Sequence, residues 1–497
     1  MVRGGCHGMN ARQAGKAEGR VSYGLYIGRN HTADGIAYLA GYGDEPSSHW
    51  LEIVPRRHHA PGTVISVGVT QQADLPGRMS EIPQVAETSR HIRVSYSHYK
   101  GVPSPLTNGG LNEHGVAVRD IWSPSRPELI AMTPVDQSGP NYSDLARILL
   151  ERARTARDGV EIIADLIARH GYADYGGNSH LIADAEEAWV VIEFSGGQGL
   201  WVAERLGPDA IRASRPGYVG VVPVHDSRPA DFLYPAHFVS FARGQGWYSG
   251  EGPFDANAVY GDGRGRWAGA AWIEAEMAGR ARRPGKIGLA DVIWAVRTAR
   301  LTGDTAGYGQ VVPLATPAHK ELRMLWHTQV GAVAAPFVPV FMGVAEVPEE
   351  YRAHRYLSGG EAARFLDTRH ADKGRSDTVS LIPQGIESTR SASAAGKRLL
   401  NLIFQHHEAF LPEATALWEA IEAELSRSQA GIVRSAAVLL DAGESELATG
   451  LLTYYSHTEL RRALDSIEQL AQSLELRTRY RHGFRTDPVP LSPPQIW

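Results

Sequence analysis

Apolar and polar positions follow a short strand-like rhythm through the first third of the chain and then change period. The run Val21-Ser22-Tyr23-Gly24-Leu25-Tyr26-Ile27-Gly28 is rich in β-formers. Thr32-Ala33-Asp34-Gly35 supplies a turn before a second such run, Ile36-Ala37-Tyr38-Leu39-Ala40. Together they predict a hairpin with Ser22 at its leading edge. Trp50 to Val54 predicts a further strand, and the Pro- and Gly-punctuated span from Arg56 to Pro83 predicts loops and short strands. Asn112-Glu113-His114-Gly115 reads as a tight turn leading into another strand.

A helical period begins beyond Asn141, where Asn141, Ser143 and Asp144 offer capping oxygens. Leu145, Ile148, Leu149 and then Ile162, Ile163, Leu166 and Ile167 follow at helical spacing, with Gly159 expected to separate two packed helices. Ser179 to Asp184 and Ala188 to Phe194 predict a second hairpin, and Trp201 to Ala203 a strand beside it. Helix returns over 268–300 and again from Leu399 to Leu476, where Leu417, Trp418, Ile421 and Leu425 are expected to share a stripe. Strands, helices and strands again predict a layered α+β core, not a repeating βαβ unit. The organisation expected is a leader over 1–21, a core over 22–395, a helical C-terminal extension over 396–485 and an extended tail over 486–497.

Composition narrows the function classes. Of 497 residues, 43% are hydrophobic and 21% charged, which excludes a mostly disordered chain. Lys and Arg total 50 against 55 acidic residues, so the net charge of -5 offers no basic footprint for nucleic acid. Cys6 is the single cysteine, which rules out an intrachain disulfide framework and a cysteine-based zinc site. The leader carries no apolar stretch long enough for a signal segment, and no run reaches the roughly 20 apolar residues of a membrane span. A cytoplasmic protein without a membrane partner is the expectation; homo-oligomerisation is left open.

The common catalytic motifs are missing. There is no G-x-x-x-x-G-K-[ST] loop, no G-x-S-x-G elbow and no H-E-x-x-H. Gly261-Asp262-Gly263-Arg264-Gly265 is glycine-rich but opens no strand-to-helix turn. The adjacent pairs His58-His59 and His406-His407 point apart on any regular element, so no metal is expected there. What remains is Ser22 at the head of a strand, behind a removable leader. Cleavage before it would free an α-amine of pKa about 7.7 to 8.0, a usable base beside a hydroxyl nucleophile.

From Ser22 through Gly28 to the Thr32-Ala33-Asp34-Gly35 turn, the sequence resembles, without gaps, the start of the cysteine dipeptidase (dipeptidase A-like) family of N-terminal nucleophile (Ntn) hydrolases. In that family a Cys opens the mature chain. The resemblance continues through Asn112-Glu113-His114-Gly115, the helix from Tyr142, Trp189 to Glu193, Trp201 to Ala203, Asp231 to Tyr234 and Gly246 to Asp255. It implies a four-layer αββα Ntn-hydrolase sandwich that cleaves a peptide or amide bond through an acyl-ester on Ser22, with no cofactor. Asp44 falls where the family's Ala-Arg-Asn-x-Asp segment has its acidic residue, and oxyanion or substrate-binding roles fall to Asn112, Ser214 and Arg215.

There are three departures from the family. Ser22 replaces the Cys, Gly41 replaces the segment's Arg, and Ser214 replaces an Asn. Gly41 and Ser214 keep a non-catalytic peptide- or amide-binding descendant open, and a tailoring acyltransferase or amide synthase on the same fold is a second alternative. Cys6 is the rival nucleophile.

Overall fold

The computed structural model describes residues 22–44, 47–97, 99–226, 230–303, 306–353, 390–485 and 493–496. The leader, Cys6 included, and most of the tail lie outside the described residues. β1 (Tyr23–Ile27) and β2 (Tyr38–Gly43) form the N-terminal hairpin, followed by β3 (His49–Val54), β4 (His91–Tyr96), β5 (Leu106–Asn112) and β6 (Ala117–Trp122). Helices α1 (Tyr142–Arg152) and α2 (Ala156–His170) precede the meander β7 (Asn178–Ala183), β8 (Ala188–Glu193) and β9 (Trp201–Leu206). Then come β10 (Ile211–Ser214), the short β11 (Phe232–Leu233), α3 (Ala268–Ala281), α4 (Leu289–Arg297), β12 (Tyr308–Pro313), β13 (Met324–Gln329) and β14 (Val338–Phe341). Three helices follow: α5 (Ala392–Gln405), α6 (His407–Asp441) and α7 (Ser445–Arg477).

Two antiparallel sheets carry the core. One has six strands in the order β10-β1-β2-β12-β13-β14, the other eight in the order β11-β9-β8-β7-β6-β5-β4-β3. They face one another closely: a Cβ added at Gly24 of β1 would lie 2.5 Å from a Leu181 methyl of β7 and 2.7 Å from an Ile121 methyl of β6. Helices α1 and α2 pack on the outer side of the eight-stranded sheet, and α3 and α4 on the outer side of the six-stranded one. The fold is thus α+β, as the alternation of periods implied.

Local chemistry sets the ends of these elements. Asn141 caps α1 by accepting from the Ser143 and Asp144 amides at 2.9 and 3.0 Å, while Asp144 accepts in return from the Asn141 amide. The helix break expected at Gly159 lies instead at Ala153–Thr155, where the Thr155 hydroxyl caps α2. Gly159 sits inside α2, where a Cβ would approach Ile182 to 3.0 Å. The helix expected over 268–300 is broken between α3 and α4. On α6, Trp418 and Leu425 are buried but Leu417 faces outward. The residue that completes their i, i+4, i+7 stripe is Glu422, whose carboxylate pairs with the buried Arg297 of α4. Among the described residues, no helix is long and apolar enough to cross a membrane, and no group of three or more His, Cys, Asp or Glu is placed to hold a metal ion.

Candidate active site

Pairing geometry brings the Ser22 region together from three strands. β1 runs between β2 and β10 with Tyr23 opposite Tyr42, and with Gly24 opposite both Gly41 and Ser214. Side chains alternate across a strand, so Ser22 shares a face with Gly24, Gly41 and Ser214, the face turned to the other sheet. Tyr23 and Tyr42 share the opposite, helix-covered face, with ring centroids 5.5 Å apart. Ser22 is 8% exposed and Asp44, just past the end of β2, 9%. The Asp44 amide donates to the Ser22 Oγ at 3.2 Å. The nucleophile suggested by the sequence and the acidic residue assigned beside it therefore meet, through Asp44's backbone.

Gly41 leaves no room for the arginine expected at its position, because a Cβ there would lie 2.0 Å from the Tyr23 carbonyl oxygen. A guanidinium arrives from the opposite sheet instead. Arg119 of β6 is fully buried, stacks over the Tyr308 ring with its Cζ 5.0 Å from the centroid, and donates to the Tyr42 carbonyl at 2.8 Å. Its other terminal nitrogen donates to the Asn108 carbonyl at 3.0 Å. Sequence reasoning missed Arg119. The signal was present, because Arg119-Asp120 interrupts the apolar run Val116 to Ile121, and charges in the middle of a central strand are buried ones.

Ser214 lies on Ser22's face, and its hydroxyl is buried without a hydrogen-bond partner among the described residues. A buried hydroxyl left so costs free energy that a ligand oxygen could recover. Arg215 turns to the other side. It is 1% exposed, donates to the Tyr42 hydroxyl, and its Nη2 donates to the Gln495 Oε1 at 3.3 Å. The Tyr42 hydroxyl in turn donates to the Leu301 carbonyl at 2.5 Å. Burial raises the Tyr42 phenol well above its usual pKa, against the opposing pull of Arg215 and with Asp44's charge adding to the rise. Tyr42 therefore stays a neutral hydroxyl, held by its carbonyl on one face and its hydroxyl on the other.

Asn112 is placed elsewhere. Its Nδ2 donates to the carbonyls of Ala153 at 2.7 Å and Leu150 at 3.4 Å, closing the end of α1. Its Oδ1 accepts from the amides of His114 and Val116, both at 3.0 Å. These bonds serve the β5–β6 turn and the end of α1, and none of them brings Asn112 to Ser22. Beside it, Glu113 accepts from Arg56, Lys320 and the Arg90 amide. Burial works against its ionisation, but these donors prevail and hold the carboxyl down at about 2.

The model of peptidase family C69 matches residues 70–266, a stretch that includes Asn112, Ser214 and Arg215 and stops short of Ser22 and Asp44. A probable dipeptidase of Latilactobacillus sakei is 21% identical over 243 residues, 48% of this chain and 48% of that protein. Probable dipeptidase B of Streptococcus pyogenes serotype M3 is 31% identical over 218 residues, 41% of this chain and 40% of that protein. The chain thus spans about half the length, or less, of these curated relatives. A crystal structure of conjugated bile acid hydrolase from Clostridium perfringens aligns with 62% of this chain and 89% of its own, at 12% identity and a TM-score of 0.28.

Proposed function

We propose that the protein is an amidohydrolase of the dipeptidase-like, N-terminal nucleophile type, acting through Ser22 on a peptide or linear amide bond. The observation that carries this reading is the hydrogen bond from the Asp44 amide to the Ser22 hydroxyl, at the head of an interior strand of one of two facing sheets. On this reading the stacked helices and sheets are the four-layer αββα sandwich of that class. Loss of residues 1–21 frees the Ser22 amine, which takes the hydroxyl proton as Oγ attacks the carbonyl. The amine component leaves with that proton, and water then releases the acyl group from the ester. Ser214's hydroxyl, on the same face, is the candidate donor to the developing oxyanion. The Arg119 side chain, which meets β2 beside Gly41, favours a substrate pocket different from that of relatives with an arginine in the strand.

Intact-mass measurement of the purified protein tests the reading. A mature chain beginning at Ser22, and a covalent acyl adduct on Ser22 when substrate turnover is quenched with acid, are the expected results. An active species that retains residues 1–21 would sink the mechanism. Alkylation of Cys6 should leave turnover intact; inactivation by it would move the nucleophile to the thiol.

A further inference from the structure

The short segment Pro493–Ile496 lies against the helix-covered side of the candidate site and is tied there by two hydrogen bonds, by the room two glycines leave and by apolar packing. The Ile496 amide donates to the Arg300 carbonyl at 2.8 Å. The Gln495 carboxamide accepts from Arg215 at 3.3 Å. Two glycines make room for the segment: a Cβ on Gly269 would lie 2.6 Å from the Ile496 carbonyl oxygen, and one on Gly303 would lie 2.6 Å from the Gln495 side-chain Nε2. Ile496 itself packs onto the main core.

We propose that Gln495 is a positioning residue for the Ser22 site, holding the guanidinium of Arg215 on the Tyr42 hydroxyl so that the end of β2 presents the Asp44 amide to Ser22. The route is short and continuous. Arg215 has one terminal nitrogen on Gln495 and the other on Tyr42. Tyr42 is fixed on its far side by Arg119 and stands two residues before Asp44. Losing Gln495 removes one of the partners that orient the guanidinium fork, and a less firmly oriented fork holds the Tyr42 hydroxyl less well. The charge-assisted, forked geometry of Arg215 makes it sensitive to the loss of either partner. The chemistry required at position 495 is an acceptor oxygen at the reach of glutamine.

The proposal rests on the Ser22 reading, and the test separates the two. In the full chain, Gln495→Ala and Gly303→Ala should each lower kcat about 5- to 20-fold with KM changed less than twofold, since misplacement of a reacting group acts on the chemical step. Gln495→Glu, which keeps the acceptor, should retain at least half of the wild-type kcat. Modification of Arg215 by phenylglyoxal, read by mass spectrometry of the peptide that carries it, should speed up about tenfold in Gln495→Ala and Gly303→Ala but not in Gln495→Glu. This second readout needs no turnover. Unchanged protection of Arg215 in both disrupting variants, or unchanged kcat in them, would overturn the proposal. An absence of any Ser22 adduct in the wild type would overturn the underlying reading whatever Arg215 does.

Discussion

The two ends of strands β5 and β6 contrast sharply with the Ser22 end of β1 and β2, although both regions bury polar groups densely. At the Asn112–Glu113 turn every named side-chain bond closes on backbone or on an opposite charge: two carbonyls and two amides for Asn112, and three donors for Glu113. At the Ser22 end, groups from both sheets and from the distant segment 493–496 converge on a strand end, and the Ser214 hydroxyl is left without a partner among the described residues. A polar cluster that satisfies itself is architecture. One that gathers side chains from distant parts of the chain around a hydroxyl is where chemistry is expected.

The comparison breaks most visibly on activity. Ser22→Ala should abolish turnover, by about 10⁴-fold or more, with little change in Tm, because the change removes only one hydroxyl from a small side chain. Stopped turnover together with unfolding in a thermal melt would instead mean that Ser22 is structural. The turn should show the reverse. Asn112→Ala leaves two carbonyls and two amides without their partner and should cost about 3–5 kcal/mol in denaturant unfolding, while the folded fraction keeps its specific activity. Asp44→Asn keeps the amide that bonds Ser22 and removes the charge; we expect kcat/KM to fall on the order of 10²-fold with a melt within ~1 °C of wild type. Wild-type turnover by that variant would confine Asp44's contribution to its backbone.

Acid should act through two buried imidazoles, one beside the Asn112 turn and one on β13, which sharpens the contrast by setting stability apart from function. Burial holds His91, beside Asn112 in the β4–β5 ladder, and His327, on β13, down to about 4. The unfolded chain binds those protons first, with a pKa near 6.5, so stability is intact above about 6.5 and is lost as pH falls toward 4. Each ring should cost about 2 kcal/mol at pH 5. Replacing either by Gln should flatten the dependence of Tm on pH over that interval; a profile unchanged in both variants would show that the rings are protonated in the folded protein.

What the sequence made legible was local. The β1–β2 hairpin pairs residues no more than 19 positions apart, and the Asn141 cap and the 112–115 turn depend on residues within a few positions of one another. The role of Asn112 was less legible, because the carbonyls it binds lie 38 and 41 positions away. The same holds for Arg119, whose acceptor Tyr42 is 77 residues distant on the other sheet. Gly159 was misplaced as a breaker because a glycine that accommodates a close neighbour looks, in sequence, like one that ends a helix. Glu422 stayed hidden for a related reason: a charge inside an apolar stripe is recognised only with its partner in view.

That partner bears on how the chain can be divided. Arg297 belongs to the helix beneath the six-stranded sheet, and its guanidinium meets Glu422 in a forked pair, with one arm at 2.8 Å. It also donates to the Ala332 carbonyl at 2.8 Å, while the same carboxylate accepts from the Phe337 amide at 2.7 Å. Cutting the chain near residue 395 to obtain a minimal catalytic unit would strand a buried cation and an amide in the sheet layer, a loss of about 3–5 kcal/mol before any apolar surface is counted. The helical extension is therefore not a detachable accessory. It supplies the counter-charge to a cation buried beneath the six-stranded sheet, so shortening this protein from that end would remove part of its foundation.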